Sequence, residues 1–324
     1  MHLNGIVLDY VSFLLKVITL VIAIAAVLAM KECSQNSPVK FTLLNKKRLK
    51  LAIARTSQLS GNTVKSKKKQ LKAQLKEVGK LQENLYVINF KGDIKASEVN
   101  ELRDIVTSII EIAMPSDRVL LKIESPGGEV SAYGLVASQI ARFRSKNIHV
   151  TASIDQVAAS GGYLIASVAD NIIAAHFAII GSIGVILQSA NINKLLKKND
   201  VDIVELTSGK YKRTLTTIGE NTKEGKEKAQ EQINSIHETF KSHVANHRPE
   251  VSIESVANGE IWLSKEALEL KLIDSIQTSD DFISNALTQF KVFNVTKKVK
   301  KSKVQNLKSF CEWLYQRFAT EQIC

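Results

Sequence analysis

The hydropathy pattern of the chain changes character twice. Residues 10–30, YVSFLLKVITLVIAIAAVLAM, are apolar apart from Lys16 and small hydroxyls. A helix of about 20 residues is about 30 Å long and spans a bilayer core. No Lys or Arg precedes the run and no A-x-A site follows it, so it reads as an uncleaved anchor (1–34) and not as a signal peptide. Residues 35–83 are polar, Lys-rich and poor in aromatics; KSKKKQLKAQLKEVGK has no broad apolar face. A solvated helical or disordered linker resting on anionic headgroups is expected there.

From residue 84 strand-like and helix-like stretches alternate. Strands are expected at 85–91, 118–123, 148–154, 171–175 and 201–206. Helices are expected at 97–113, 131–145, 161–169, 191–198 and 222–246. Short connections between them predict an α/β fold with mostly parallel strands over 84–290. A second apolar run, FAIIGSIGVIL at 177–187, is too short to cross a membrane and reads as a buried strand and turn. In the tail, 291–324, Leu307, Phe310, Leu314 and Phe318 recur at helical spacing. An amphipathic helix packing on a neighbouring subunit or on lipid is expected, with an ordinary core contact as the alternative.

The net charge of +12 suggests nucleic acid until it is located. Residues 31–80 hold 14 Lys/Arg against 2 Asp/Glu, which accounts for all of it. The tail is basic as well, so the body at 81–290 is mildly acidic and offers no nucleic-acid groove. Cys33, Cys311 and Cys324 are distant from one another and show no metal spacing. Neither a disulfide framework nor a metal site is indicated. With no GxGxxG or Walker loop, no cofactor is expected.

Three glycine-bearing turns are the candidate chemistry: ESPGGEV (124–130), AASGGY (158–163) and GSIGV (181–185). Gly127 and Gly128 let backbone amides approach a ligand closely, although an ordinary strand-to-helix turn has the same composition. Ser160 ends a strand and opens a helix of small residues, a place for a nucleophile or for a plain N-cap. Its partner is not an evident histidine. His149 and His176 fall on strands, and His237, His243 and His247 on the long helix, where the i,i+4 pair 243/247 lacks the acid of an HExxH motif and reads as a solvated face. SGKYKRTL (208–215) offers lysines at a Gly turn instead. A buried lysine beside a serine loses its proton readily, because desolvation disfavours the ammonium.

ESPGG, DQVAASGGY, GSIGV and SGKYKRTLT resemble, in order and spacing, the signal peptide peptidase A family of membrane serine proteases, and its short SohB-type members most closely. The resemblance covers the anchor and residues 84–290. It implies a Clp-protease/crotonase superhelix of ββα units. It also implies that Ser160 is the nucleophile, Lys212 the general base and Ser182 the residue orienting that lysine. Gly128 and Gly161 would supply the oxyanion-hole amides. The implied partners are peptide or protein substrates, membrane lipid and further copies of the chain. The implied setting is a bacterial inner membrane with the catalytic domain in the periplasm, whereas 14 basic residues just after the span favour the cytoplasm. A crotonase-like acyl-CoA enzyme and a silent membrane scaffold are the rival readings; neither needs Ser160 or Lys212.

Overall fold

The computed structural model describes residues 39–58 and 62–297, with Lys16 besides. The expected anchor at 10–30, Lys16 apart, and the tail helix lie outside the described residues. Among those described, no helix is long and apolar enough to cross a membrane. The chain divides into two units, 1–40 with 297–324 and 41–296; the second contains nearly all of the described residues.

The first elements are β1 (Val39–Leu43), α1 (Leu44–Thr56) and α2 (Asn62–Glu77). Strands and helices then alternate: β2 (Asn84–Lys91), α3 (Val99–Ile110), β3 (Arg118–Ser125), α4 (Val130–Arg144), β4 (His149–Ala159), α5 (Gly161–Ala166) and β5 (Asn171–Ala174). After β6 (Ile179–Gly181) come α6 (Asn193–Lys198), the long α7 (Lys223–His247) and α8 (Ile253–Val256). The chain continues through β7 (Ile261–Leu263), α9 (Ser264–Glu269), β8 (Ser275–Ile276), α10 (Ser279–Ala286) and β9 (Lys291–Lys297).

The nine strands form one sheet in the order β1-β9-β2-β3-β4-β5-β8, with β6 paired to β4 and to β7. β2, β3, β4 and β5 run parallel, which demands crossovers, and the intervening helices supply them. A parallel sheet covered on both faces needs continuous apolar strands. Val119, Leu120 and Leu121 in β3 are accordingly all fully buried. Leu85, Val87 and Leu120 pack against Ile283, Ala286, Phe290 and Val292.

Two expectations give way here. Residues 201–206 form no strand. Val204 and Leu206 stand 84% and 92% exposed, because β-branched sequence alone does not supply a partner edge. In the segment 39–80 the described residues form β1, α1 and α2, so of the two linker alternatives the disordered one gives way, and the helices are tied to the body. Asn45 at the start of α1 is buried and bridges three backbone groups of the body. Its Nδ2 donates to the carbonyls of Leu287 and Phe290, both at 2.9 Å, and its Oδ1 accepts from the Val292 N–H at 2.7 Å. Leu71 and Val78 are buried as well, a narrow seam that the lysines around it conceal in sequence. Asn45→Ala would orphan those backbone groups. We expect it to cost about 3 kcal/mol in denaturant unfolding.

Candidate active site

The site is built at the C-terminal ends of three neighbouring strands, where open parallel sheets bind ligands. The β3–β4 register shifts between Ile123 and Ser125 so that Ser125 aligns with Ala158. Ala159 in turn aligns with Gly181 of β6. The turns that follow these strands are ESPGG, AASGG and GSIG, the three glycine signatures of the sequence.

Ser160 sits at the sharp turn from β4 into α5 with φ 52° and ψ −120°. A non-glycine residue there is strained and persists only because its surroundings fix it. Its N–H donates to the Gly181 carbonyl at 2.8 Å, and its carbonyl accepts from Leu164 N–H at 3.0 Å. Its side chain makes no capping hydrogen bond. The plain N-cap role therefore does not explain this serine; its hydroxyl is left for other use. Ser182, on the adjoining β6 end, has a similar φ of 51° and donates its N–H to the Glu260 carbonyl at 2.6 Å.

Gly127 (φ +96°) presses directly on this turn. A Cβ there would lie 2.7 Å from Ser160 Cβ and 2.8 Å from the Gly161 nitrogen. A side chain at Gly128 would collide with the Ile94 carbonyl oxygen, and one at Gly161 would lie 2.5 Å from the Tyr133 ring. Tyr133 is itself pinned: its hydroxyl donates to the Asp93 carbonyl at 2.8 Å and shares a 2.6 Å hydrogen bond with Ser125 Oγ. Among the described residues the amides of Gly128 and Gly161 have no acceptor, so both remain able to donate.

Ser160, Gly128 and Gly161 open together onto a cavity of about 430 Å³. Its walls are mostly apolar: Val130 and Ala137 from α4, Leu164 from α5, Val185 and Ile186 from the loop after β6, and Phe240 from α7. A hydroxyl, two free amides and an apolar pocket of side-chain size are suited to holding a peptide carbonyl with one neighbouring side chain.

The comparisons with known proteins agree with that chemistry. The pattern of Peptidase family S49 matches residues 142–293, and that of Peptidase family S49 N-terminal matches residues 5–140. A "Probable protease SohB" of Haemophilus influenzae is 45% identical over 242 residues, covering 74% of this chain and 69% of the relative. The chain belongs to peptidase family S49. It is a serine-type peptidase. Another "Probable protease SohB", from Buchnera aphidicola subsp. Schlechtendalia chinensis, is 55% identical over 199 residues and covers 61% of this chain and 65% of that one. Among solved structures, a 1510-N membrane-bound stomatin-specific protease with a substrate peptide aligns at TM-score 0.47 and 14% identity. That alignment covers 70% of this chain and 99% of the other.

In this S49 peptidase the lysine is not where its expected role requires it. Lys212 is exposed, and its N–H donates to the Gly209 carbonyl at 3.0 Å. It does not line the Ser160 cavity. The neighbouring Tyr211 ring offers it no dry setting, because two cations lie against that ring, Lys210 at 5.1 Å and Lys228 at 5.0 Å from its centroid. Lys210 is unsuited to be the base. Its Nζ donates to Glu224 at 2.6 Å, and that hydrogen bond, with Tyr211 and Glu224 charge adding to it, pushes its pKa up to about 12.

The run at 177–187 is likewise only partly buried. Ile180 and Ile183 are enclosed, while Phe177 and Ile186 stand 83% and 85% exposed.

His243 corrects the reading of the long helix as a solvated face. It lines the cavity, its Nε2 lies 3.2 Å from the Leu164 carbonyl oxygen, and its ring centroid is 4.5 Å from that of His247, the two rings tilted by 39°. Burial lowers its pKa, the neighbouring His247 lowers it further, and the Leu164 hydrogen bond opposes both. Sequence spacing could not show this, since the contact joins α7 to α5. Linkage fixes the sign: the unfolded imidazole, with a pKa of about 6.5, takes up a proton before the folded one does. Stability should therefore fall as pH drops below about 6.5. His243→Gln should flatten that part of the slope in urea unfolding measured across pH.

Proposed function

We propose that this S49 peptidase is a membrane-anchored endopeptidase working through a Ser160–Lys212 dyad. The observation that carries the reading is the strained Ser160, uncapped and flanked by two free glycine amides at the mouth of an apolar cavity. In the proposed cycle the neutral Lys212 amine takes the Ser160 proton as Oγ attacks the peptide carbonyl carbon. The N–H groups of Gly128 and Gly161 hold the oxyanion, and such donors are worth about 3 kcal/mol each. Collapse breaks the C–N bond, and the leaving amine takes the proton from Lys212. Water then hydrolyses the acyl-serine with Lys212 again as base, and Ser182 orients the amine throughout.

Lys212 stands exposed in this structure, whereas a lysine base works from a desolvated setting. The dyad thus requires the 199–222 segment to be covered when substrate or a second copy of the chain closes over Ser160. The body would adopt the ββα superhelix of the Clp-protease/crotonase type, residues 10–30 would form a single inner-membrane span, and the chain would contact membrane lipid and associate into an oligomer. Substrates would be peptides or envelope proteins, residual signal peptides among them, with the cavity taking an apolar side chain. The test is cleavage of an unfolded protein by the full chain in detergent, across pH. Internal cuts, with turnover rising towards alkaline pH, are expected. Absence of internal cleavage would remove the endopeptidase reading.

A further inference from the structure

The helical hairpin α1–α2 concentrates charge that the catalytic body does not use. Lys46, Lys47 and Lys50 on α1 and Lys65, Lys69 and Lys72 on α2 are all exposed. None of the six has an acidic partner among the described residues. The single acid in the hairpin region, Glu77, is taken by Lys80 at 2.9 Å, and Arg48 is turned to Asp280 on the body at 3.6 Å. Leu51, 47% exposed, stands among these lysines. Residues 81–290 are by contrast net acidic. The hairpin is fixed to that body by the three hydrogen bonds of the buried Asn45, so whatever binds its lysines also orients the Ser160 cavity.

We propose that the outer faces of α1 and α2 form a docking surface for an anionic lipid bilayer, holding the peptidase body against the membrane in one orientation. This deepens the membrane part of the proposed function and leaves the dyad untouched. Three observations select lipid over nucleic acid. The apolar run at 10–30 ends shortly before β1 in sequence, residues 44–80 contain no aromatic side chain on which bases stack, and an exposed leucine accompanies the lysines. Basic segments beside a span are drawn to anionic headgroups within about a Debye length.

The test uses the full chain in lipid nanodiscs of phosphatidylcholine, with or without phosphatidylglycerol. The rate of amine-reagent labelling is read at each lysine by mass spectrometry. With phosphatidylglycerol at low salt, labelling of the six hairpin lysines should slow about five-fold, and high salt should reverse this. Lys146 and Lys265, exposed elsewhere on the body, should not change. Combined Lys65→Glu, Lys69→Glu and Lys72→Glu substitutions, all at exposed positions, should abolish the protection remaining on α1. Equal hairpin labelling in the two lipids overturns the proposal, even if the chain stays in the discs and the anchor stands. Protection by a single-stranded RNA but not by phosphatidylglycerol overturns it in favour of nucleic acid. Loss of the chain from both discs, with hairpin protection retained on added phosphatidylglycerol vesicles, removes the anchor and supports the docking face.

Discussion

Replacing Ser160 by alanine is expected to lower kcat for peptide cleavage by about 10⁴–10⁶, and Lys212→Arg to lower it by as much. Members of a catalytic unit fail together, because each is useless without the others. Arginine keeps the charge of lysine, but its pKa above about 12 forbids it to act as a base. The pair of variants therefore separates charge from proton transfer. Neither substitution removes a buried contact among the described residues, since the Ser160 side chain makes no capping hydrogen bond and Lys212 is exposed, so both proteins should fold. Ser182→Ala should cost less, because the base survives and only its orientation is lost. Steady-state cleavage of one peptide by the four proteins, with folding checked by denaturant unfolding, reads the comparison directly.

The second large effect belongs to a residue whose side chain is a hydrogen. Gly128→Ala is expected to reduce kcat by about 10²–10³, the usual loss when one oxyanion donor is displaced. A methyl group there would strike the backbone carbonyl of Ile94, which cannot swing away as a flexible side chain would. The turn must shift, and the Gly128 amide moves with it. KM should change little if the amide acts chiefly in the transition state. Gly134 provides the control: it lies inside α4, lines the same cavity, and a Cβ there meets nothing within 4 Å. Gly134→Ala should raise stability by up to about 1 kcal/mol, the helix-propensity difference. Loss of stability in Gly134→Ala would mean that small residues in this wall are needed for packing.

Local pattern carried much of the architecture. Continuous apolar runs such as RVLLKI announced buried parallel strands, and β2 to β5 formed close to where alternation put them. The three glycine turns were legible because each breaks a run that would otherwise continue. What escaped was decided by contacts distant in sequence. Residues 201–206 have strand chemistry but no neighbouring edge. Asn45 fixes the basic hairpin through backbone groups more than 240 positions away, which no local window contains. His243 was read from its own helix, while its environment is set by Leu164 of α5. Lys212 was matched to the base by motif alone, and its exposure is set by the fold around it. In three dimensions the adjacent Tyr211 ring is occupied by Lys210 and Lys228 and does not cover it.

Covalent labelling with a fluorophosphonate probe tests the Ser160–Lys212 dyad itself, because it reports the nucleophile without any assumption about substrate. The full chain, the Lys212→Arg variant and the Ser160→Ala variant would be treated in parallel across pH and the adduct located by peptide mass spectrometry. A Ser160–Lys212 peptidase places the adduct on Ser160 at a rate that rises with pH, and leaves both variants unlabelled. Labelling of Lys212→Arg at the unmodified chain's rate, or an adduct on a different residue, would contradict it.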